Sequence, residues 1–208
     1  YEDVRKVIVP MALTSIDPLG AMGVDAPIAV LSNHTQPLFN YFKQLFAQVT
    51  NPPIDAIREE IVTSSLTTLG SEGDITHPTA ESCHQILLKT PILDNEELAK
   101  LVHVQHTGFK SQTLPILFRA AAGEAELAVA MDKLCAATES AVDAGVNIIV
   151  LSDRLADADN APIPSLLAIA GVHHHLIRQG KRTKVSLILE SAEPRQVHHF
   201  CTLLGYGA

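Results

Sequence analysis

Two short strings carry the residue types that acid–base chemistry needs. Asp153-Arg154 follows the apolar run 146–151, and Glu190-Ser191 follows the apolar run 185–189. If both runs are parallel strands, these groups stand just past the strand ends, where βα enzymes place their active groups. Asp153 and Glu190 would then be a carboxylate pair for hydrolysis, with Arg154 beside them. The same positions suit a structural ion pair that ties two loops. No His, Cys or second matching carboxylate sits at the next strand end, which favours the structural use.

Other candidates are weaker. His173-His174-His175 suggests a metal site, but adjacent helical residues point about 100° apart and do not converge on one ion. Packing and hydrogen bonding by the inward-facing imidazoles is the simpler use, and His198-His199 meets the same limit. Cys135 and Cys201 fall on apolar helix stripes and read as buried small hydrophobes rather than nucleophiles. The stretch Asp17-Pro18-Leu19-Gly20-Ala21-Met22-Gly23 places a GxxG beside an acid. It lacks the lysine of a phosphate-binding P-loop and the strand before a dinucleotide site, so a buried structural loop is the plainer reading.

From residue 111 onward the elements that must position these groups alternate regularly. A strand over 113–118 precedes a long helix opened by Gly123, with Leu127, Met131, Leu134, Thr138, Ala141 and Val142 on one stripe and Gly145 at its end. The run 146–151 is continuously apolar, the mark of a strand covered on both faces. Pro164 opens the next helix and Gly180 closes it. A strand over 185–189 and a last helix opened by Pro194 follow. This order predicts an α/β fold with parallel β-α-β-α units. Residues 1–110 are less regular. They predict a helix over 2–13, a short strand over 28–31, and a helix over 38–48 opened by Pro37. Asp55 and Asp94 each cap a further helix, and 86–88 reads as a short strand. The stretch 64–70 fits either state.

The chain has 208 residues, 47% of them hydrophobic, enough for a large core. Its net charge of −8 argues against general nucleic-acid or membrane-surface binding. Three widely spaced cysteines, none in a CxxC pair, suggest reduced thiols and no zinc or iron–sulfur knuckle. No run is long and apolar enough for a transmembrane helix, and no export leader is apparent. The first residue is not Met and the last are apolar, so both ends are expected to be cut from a longer chain.

The most rigid stretch lies between Tyr41 and Glu60. Pro52 and Pro53 fix φ and donate no amide hydrogens, so Thr50-Asn51-Pro52-Pro53 is a stiff corner between two amphipathic runs. The string from Phe42 to Asp55 resembles the central domain of the glutamate synthase large chain. Met22 to Ser32, Ala161 to Ala168, Val172 to Arg178 and Glu190 to Ala208 agree with the same family, so the resemblance spans almost the whole chain. Val24 and Ala56 depart from the residues usual there, as do the variable stretches 103–112 and 153–160.

The resemblance implies a rudimentary, degenerate β/α barrel and a linking rather than catalytic domain, covering 1–208. Its neighbours in the parent chain would be a glutaminase domain and an FMN-binding synthase domain. The parent would make glutamate from glutamine and 2-oxoglutarate. It would use FMN and an iron–sulfur cluster held outside this domain, and an electron-donor subunit or ferredoxin as partner. The setting would be the cytoplasm, or the plastid stroma in a plant. Thr50, Asn51 and Ile54 would help wall an internal ammonia tunnel. The alternative is an autonomous small-molecule-binding or hydrolytic α/β domain using Asp153, Arg154 and Glu190.

Overall fold

The computed structural model describes residues 1, 3–16, 18, 28–43 and 53–208. The chain forms two compact units, one of residues 1–64 with 192–205, the other of residues 65–191 with 206–208.

The larger unit is built on a parallel sheet of β3 (Ser111–Pro115), β5 (Ile148–Ser152) and β7 (Ser186–Glu190), in the order β3-β5-β7. Ser111, Ile148 and Ser186 stand in register at one end, and Pro115, Ser152 and Glu190 at the other. Every residue of β5 is buried, and Ile148, Ile149, Val150 and Leu151 are 0% exposed. Burying these four side chains stabilises the unit by roughly 6–12 kcal/mol, which is why an uninterrupted apolar run lies at the centre. Side chains alternate between the sheet's faces. Ile148, Val150 and Ile188 join Leu69 and Leu101 in one cluster. Over that cluster lie an antiparallel pair, β1 (Thr67–Leu69) with β2 (Ile86–Leu88), and α3 (Asn95–Val102). The α3 start is held by a capping box between Asp94 and Glu97.

The two crossover helices, α4 (Glu124–Asp143) and α5 (Ser165–Arg178), pack on each other and against the sheet. At Gly171 the Met131 methyl fills the space a Cβ would take, the end of a flexible side chain laid against the open backbone. Parallel βα units are therefore present as expected, but the described strands do not close into a barrel.

The strand expected over 113–118 is two strands. Ile116 donates to Ser152 O at 2.9 Å and accepts from Ile163 N at 2.8 Å. The chain thereby changes partner, and β4 (Leu117–Arg119) pairs antiparallel with β6 (Asn160–Pro162), a strand the sequence did not announce.

In the smaller unit, Val4–Ile8 is a π-helical turn that runs into α1 (Val9–Thr14). Pro10 has no N–H and would crowd the carbonyl four residues back, a clash that a wider turn relieves. The expected strand at 28–31 is a 3₁₀ turn, Ala29–Leu31. The turn closes on itself through Leu31 N to Ile28 O and Ser32 N to Ala29 O. The expected helix 38–48 is a 3₁₀ turn over Leu38–Phe42, with extended backbone at Lys43. Residues 44–48, and all of the GxxG loop except Pro18, lie outside the described residues. Asp55 caps α2 (Ala56–Val62), accepting from Ile57 N and Arg58 N. The last helix, α6 (Val197–Gly205), starts three residues after Pro194. Among the described residues no helix is long and apolar enough to cross a membrane.

Candidate functional site

The C-terminal ends of β5 and β7 bring together the side chains singled out for chemistry. Asp153 N donates to Glu190 O at 3.1 Å, extending the ladder one step past the strands. Arg154 Nε and Nη2 both reach Glu190 Oε1, at 2.7 and 2.6 Å. Ser152, 7% exposed, donates its hydroxyl to Glu190 Oε2 and accepts at Oγ from Arg154 N. Burial pushes the Glu190 carboxyl up, but the hydrogen bonds from Arg154 and Ser152 outweigh it and hold the group below its usual range. Glu190 in turn raises Arg154. Asp153 is held separately, by the Ser191 hydroxyl.

This arrangement is an ionised carboxylate with both oxygens engaged from the end of the neighbouring strand. A general base needs an oxygen turned toward the proton it takes, and a general acid needs a raised pKa. Glu190 has its oxygens turned inward and its pKa lowered. Asp153, Arg154 and Glu190 thus meet as a clamp between two strand ends.

The histidines of α5 go different ways. His173 Nδ1 accepts from Arg182 Nε at 2.9 Å, and His175 Nε2 bonds Glu139 Oε2 at 2.9 Å. His174 is exposed, edge-on to His173. Glu139 is held below the usual carboxylate range, first by Lys181 and then by His175. In α6, His198 Nε2 bonds Phe39 O at 3.0 Å, and the His199 ring stacks on Phe39. Among the described residues no three His, Cys, Asp or Glu side chains converge as metal ligands. Cys135 is half-buried, its thiol pushed up by burial and by Asp132. Cys201, expected to be buried, is exposed: it lies on the outward side of α6, whose buried residues are His199 and Leu203.

A polar cleft of about 260 Å³, which sequence reasoning missed, opens at the other end of the sheet. Asp74, His77, His84 and Asn147 line it. Asp74 is lowered by Thr76 and His77, and Asn147 bridges Gly108 O and Lys110 N. No spacing rule joins residues 74, 84 and 147, because only the tertiary fold makes them neighbours.

Of the expected tunnel residues, Ile54 is half-buried just before the Asp55 cap, while Thr50 and Asn51 lie outside the described residues.

The chain matches the model of the glutamate synthase central domain over residues 1–208. It is 50% identical over 208 residues to the NADPH glutamate synthase large chain of Bacillus subtilis, covering 100% of this chain and 13% of that protein. It is 44% identical over 211 residues to ferredoxin-dependent glutamate synthase 2 of Synechocystis, again 100% against 13%. It is 42% identical over 209 residues to the NADH glutamate synthase of Saccharomyces cerevisiae, 100% against 10%. The chain therefore spans little more than a tenth of the length of these relatives. A match of this length and identity leaves one assignment, and the chain belongs to the glutamate synthase central domain family.

Proposed function

We propose that this chain is the structural linking domain of a glutamate synthase, joining a glutaminase domain to an FMN-binding synthase domain. The observation that carries this reading is the full-length match to the central-domain family within a segment about an eighth as long as the relatives. The strand-end clamp agrees with it, since Glu190 and Arg154 are spent on each other. In this reading the parent makes glutamate from glutamine and 2-oxoglutarate, in the cytoplasm or, in a plant, the plastid stroma. Its electrons come from a donor subunit or ferredoxin. FMN and an iron–sulfur cluster belong to the neighbouring domain. Cys83, Cys135 and Cys201 stand on separate elements and do not make the donor set of a cluster. The sheet, with its strands in sequential order and two helices side by side, is the remnant of a β/α barrel.

The domain also helps wall the ammonia tunnel through Thr50, Asn51 and Ile54. Ammonia is small and neutral, so its bore needs to be narrow, uncharged and stiff. A segment with two consecutive prolines has little freedom in φ to collapse. Asn51→Trp in the full-length enzyme tests this. The tunnel reading expects glutamine consumed per 2-oxoglutarate consumed to rise, while glutamate formation from added ammonia persists. An unchanged ratio contradicts it.

A further inference from the structure

The parallel sheet stops at β7 on one side, since among the described residues β7 pairs only with β5. In a parallel ladder a residue turns both its N–H and its C=O to one neighbour, and the next residue turns both the other way. Ser186 N donates to Asn147 O at 3.0 Å, and Glu190 O accepts from Asp153 N at 3.1 Å, so residues 186, 188 and 190 face β5. Val185, Leu187 and Leu189 therefore face the free edge. Arg182 Nη1 donates to the Val185 carbonyl at 2.7 Å. Among the described residues nothing bonds the outward backbone groups of Leu187 or Leu189. Leu187 is only 4% exposed, so water has little access to its peptide groups, and a buried peptide group without a partner is costly. The Arg182 guanidinium also donates through Nη2 to Gly207 O at 3.0 Å, which sets residue 207 beside the first outward carbonyl of the edge. Residues 206–208 belong to the same compact unit as β7.

We propose that the segment following Ala208 in the parent chain runs along this edge as a fourth parallel strand. Gly207 stands at the Val185 end of β7, so a chain that continues from there past Leu187 and Leu189 runs parallel to it. The sheet already adds its strands in sequence order, β3-β5-β7, and the next strand in that order belongs beside β7. About five residues, at ~3.3 Å each, cover the edge from Val185 to Leu189. The chain then leaves this domain through the sheet itself and not by a flexible tether, which fixes the spacing of the domains on either side. The inference rests on the linking reading, which supplies the chain beyond Ala208.

Residue-level amide hydrogen exchange in the wild-type full-length enzyme tests this. The N–H groups of Leu187 and Leu189 are expected to exchange within about tenfold of that of Ile188, which β5 already holds. On an open edge they exchange about 1,000-fold faster or more, and that result overturns the proposal. Photo-leucine incorporated in place of leucine identifies the occupant. Irradiation is expected to join the peptide carrying Leu187 and Leu189 to the segment after Ala208. A cross-link to a different segment or to a second copy, in place of that one, overturns the proposal. Proline is then placed, one position at a time, over roughly ten residues after Ala208. Alternate residues turn their N–H to β7, so every second proline is expected to speed exchange at Leu187 or Leu189 about tenfold or more, with Ile188 still protected. No response at any position overturns the proposal. Where a proline variant does not fold, the cross-link decides, since it needs no substitution. The linking reading fails separately, if the full-length chain hydrolyses no glutamine or binds no FMN. If both are present and the edge exchanges freely, the strand is overturned and the linking reading stands.

Discussion

Arg182 Nε donates to His173 Nδ1 at 2.9 Å, and the same guanidinium reaches Val185 O at 2.7 Å and Gly207 O at 3.0 Å. One side chain thus joins α5, the start of β7 and the last residues of the chain. His173 is held below its usual range, by burial and then by the Arg182 charge, and so stays a neutral acceptor. Gly207 has φ +111°, and a Cβ there would strike the His173 ring, so the tail fits this lock only as glycine.

Replacing Arg182 removes three hydrogen bonds from a charged, largely buried donor. Arg182→Met is expected to cost roughly 2–4 kcal/mol in urea unfolding. Arg182→Lys does not restore it, since one ammonium lacks the planar fork that meets three acceptors. Full stability in the lysine variant would show that charge alone matters here.

His199 makes the smaller unit acid-sensitive. Burial, then the positive charges of Lys43 and His198, push its pKa down to about 4, against the opposing pull of Glu193 and Asp3. The folded value lies below the unfolded one near 6.5. Stability from this group is therefore complete above about pH 6.5 and is lost as pH falls toward 4. Between pH 7 and pH 5 the loss is about 2 kcal/mol. Urea unfolding at the two pH values checks it, with His199→Phe as the comparison. The phenylalanine variant should lose markedly less, and an equal loss would place the acid sensitivity elsewhere.

Local chemistry made much of the larger unit readable. The apolar run at 146–151, the glycines at 123, 145 and 180, and the aspartate caps at 55 and 94 each act within a few residues, and β5, α4, α5, α2 and α3 followed. What failed depends on partners far along the chain. Leu117 leaves the β3 line because Asn160–Pro162 offers a second ladder. The apolar residues 28–31 pair with no strand among the described residues and form a local 3₁₀ turn instead. The position of Glu190 at a strand end was legible, but the engagement of both its oxygens was not, because Ser152 and Arg154 come from the neighbouring strand. Phe39 and His198 are 159 positions apart, beyond any periodicity.

The claim underlying this account is that the domain holds its neighbours' chemistry in place and supplies no reacting group. The most direct measurement is Glu190→Gln in the full-length enzyme, with kcat of both half-reactions set against melting temperature. The clamp predicts lower stability, by about 1–3 kcal/mol, with kcat per folded enzyme close to wild type. A general acid or base contributes about 10²–10⁴-fold, so a loss of that size at unchanged melting temperature would contradict the account.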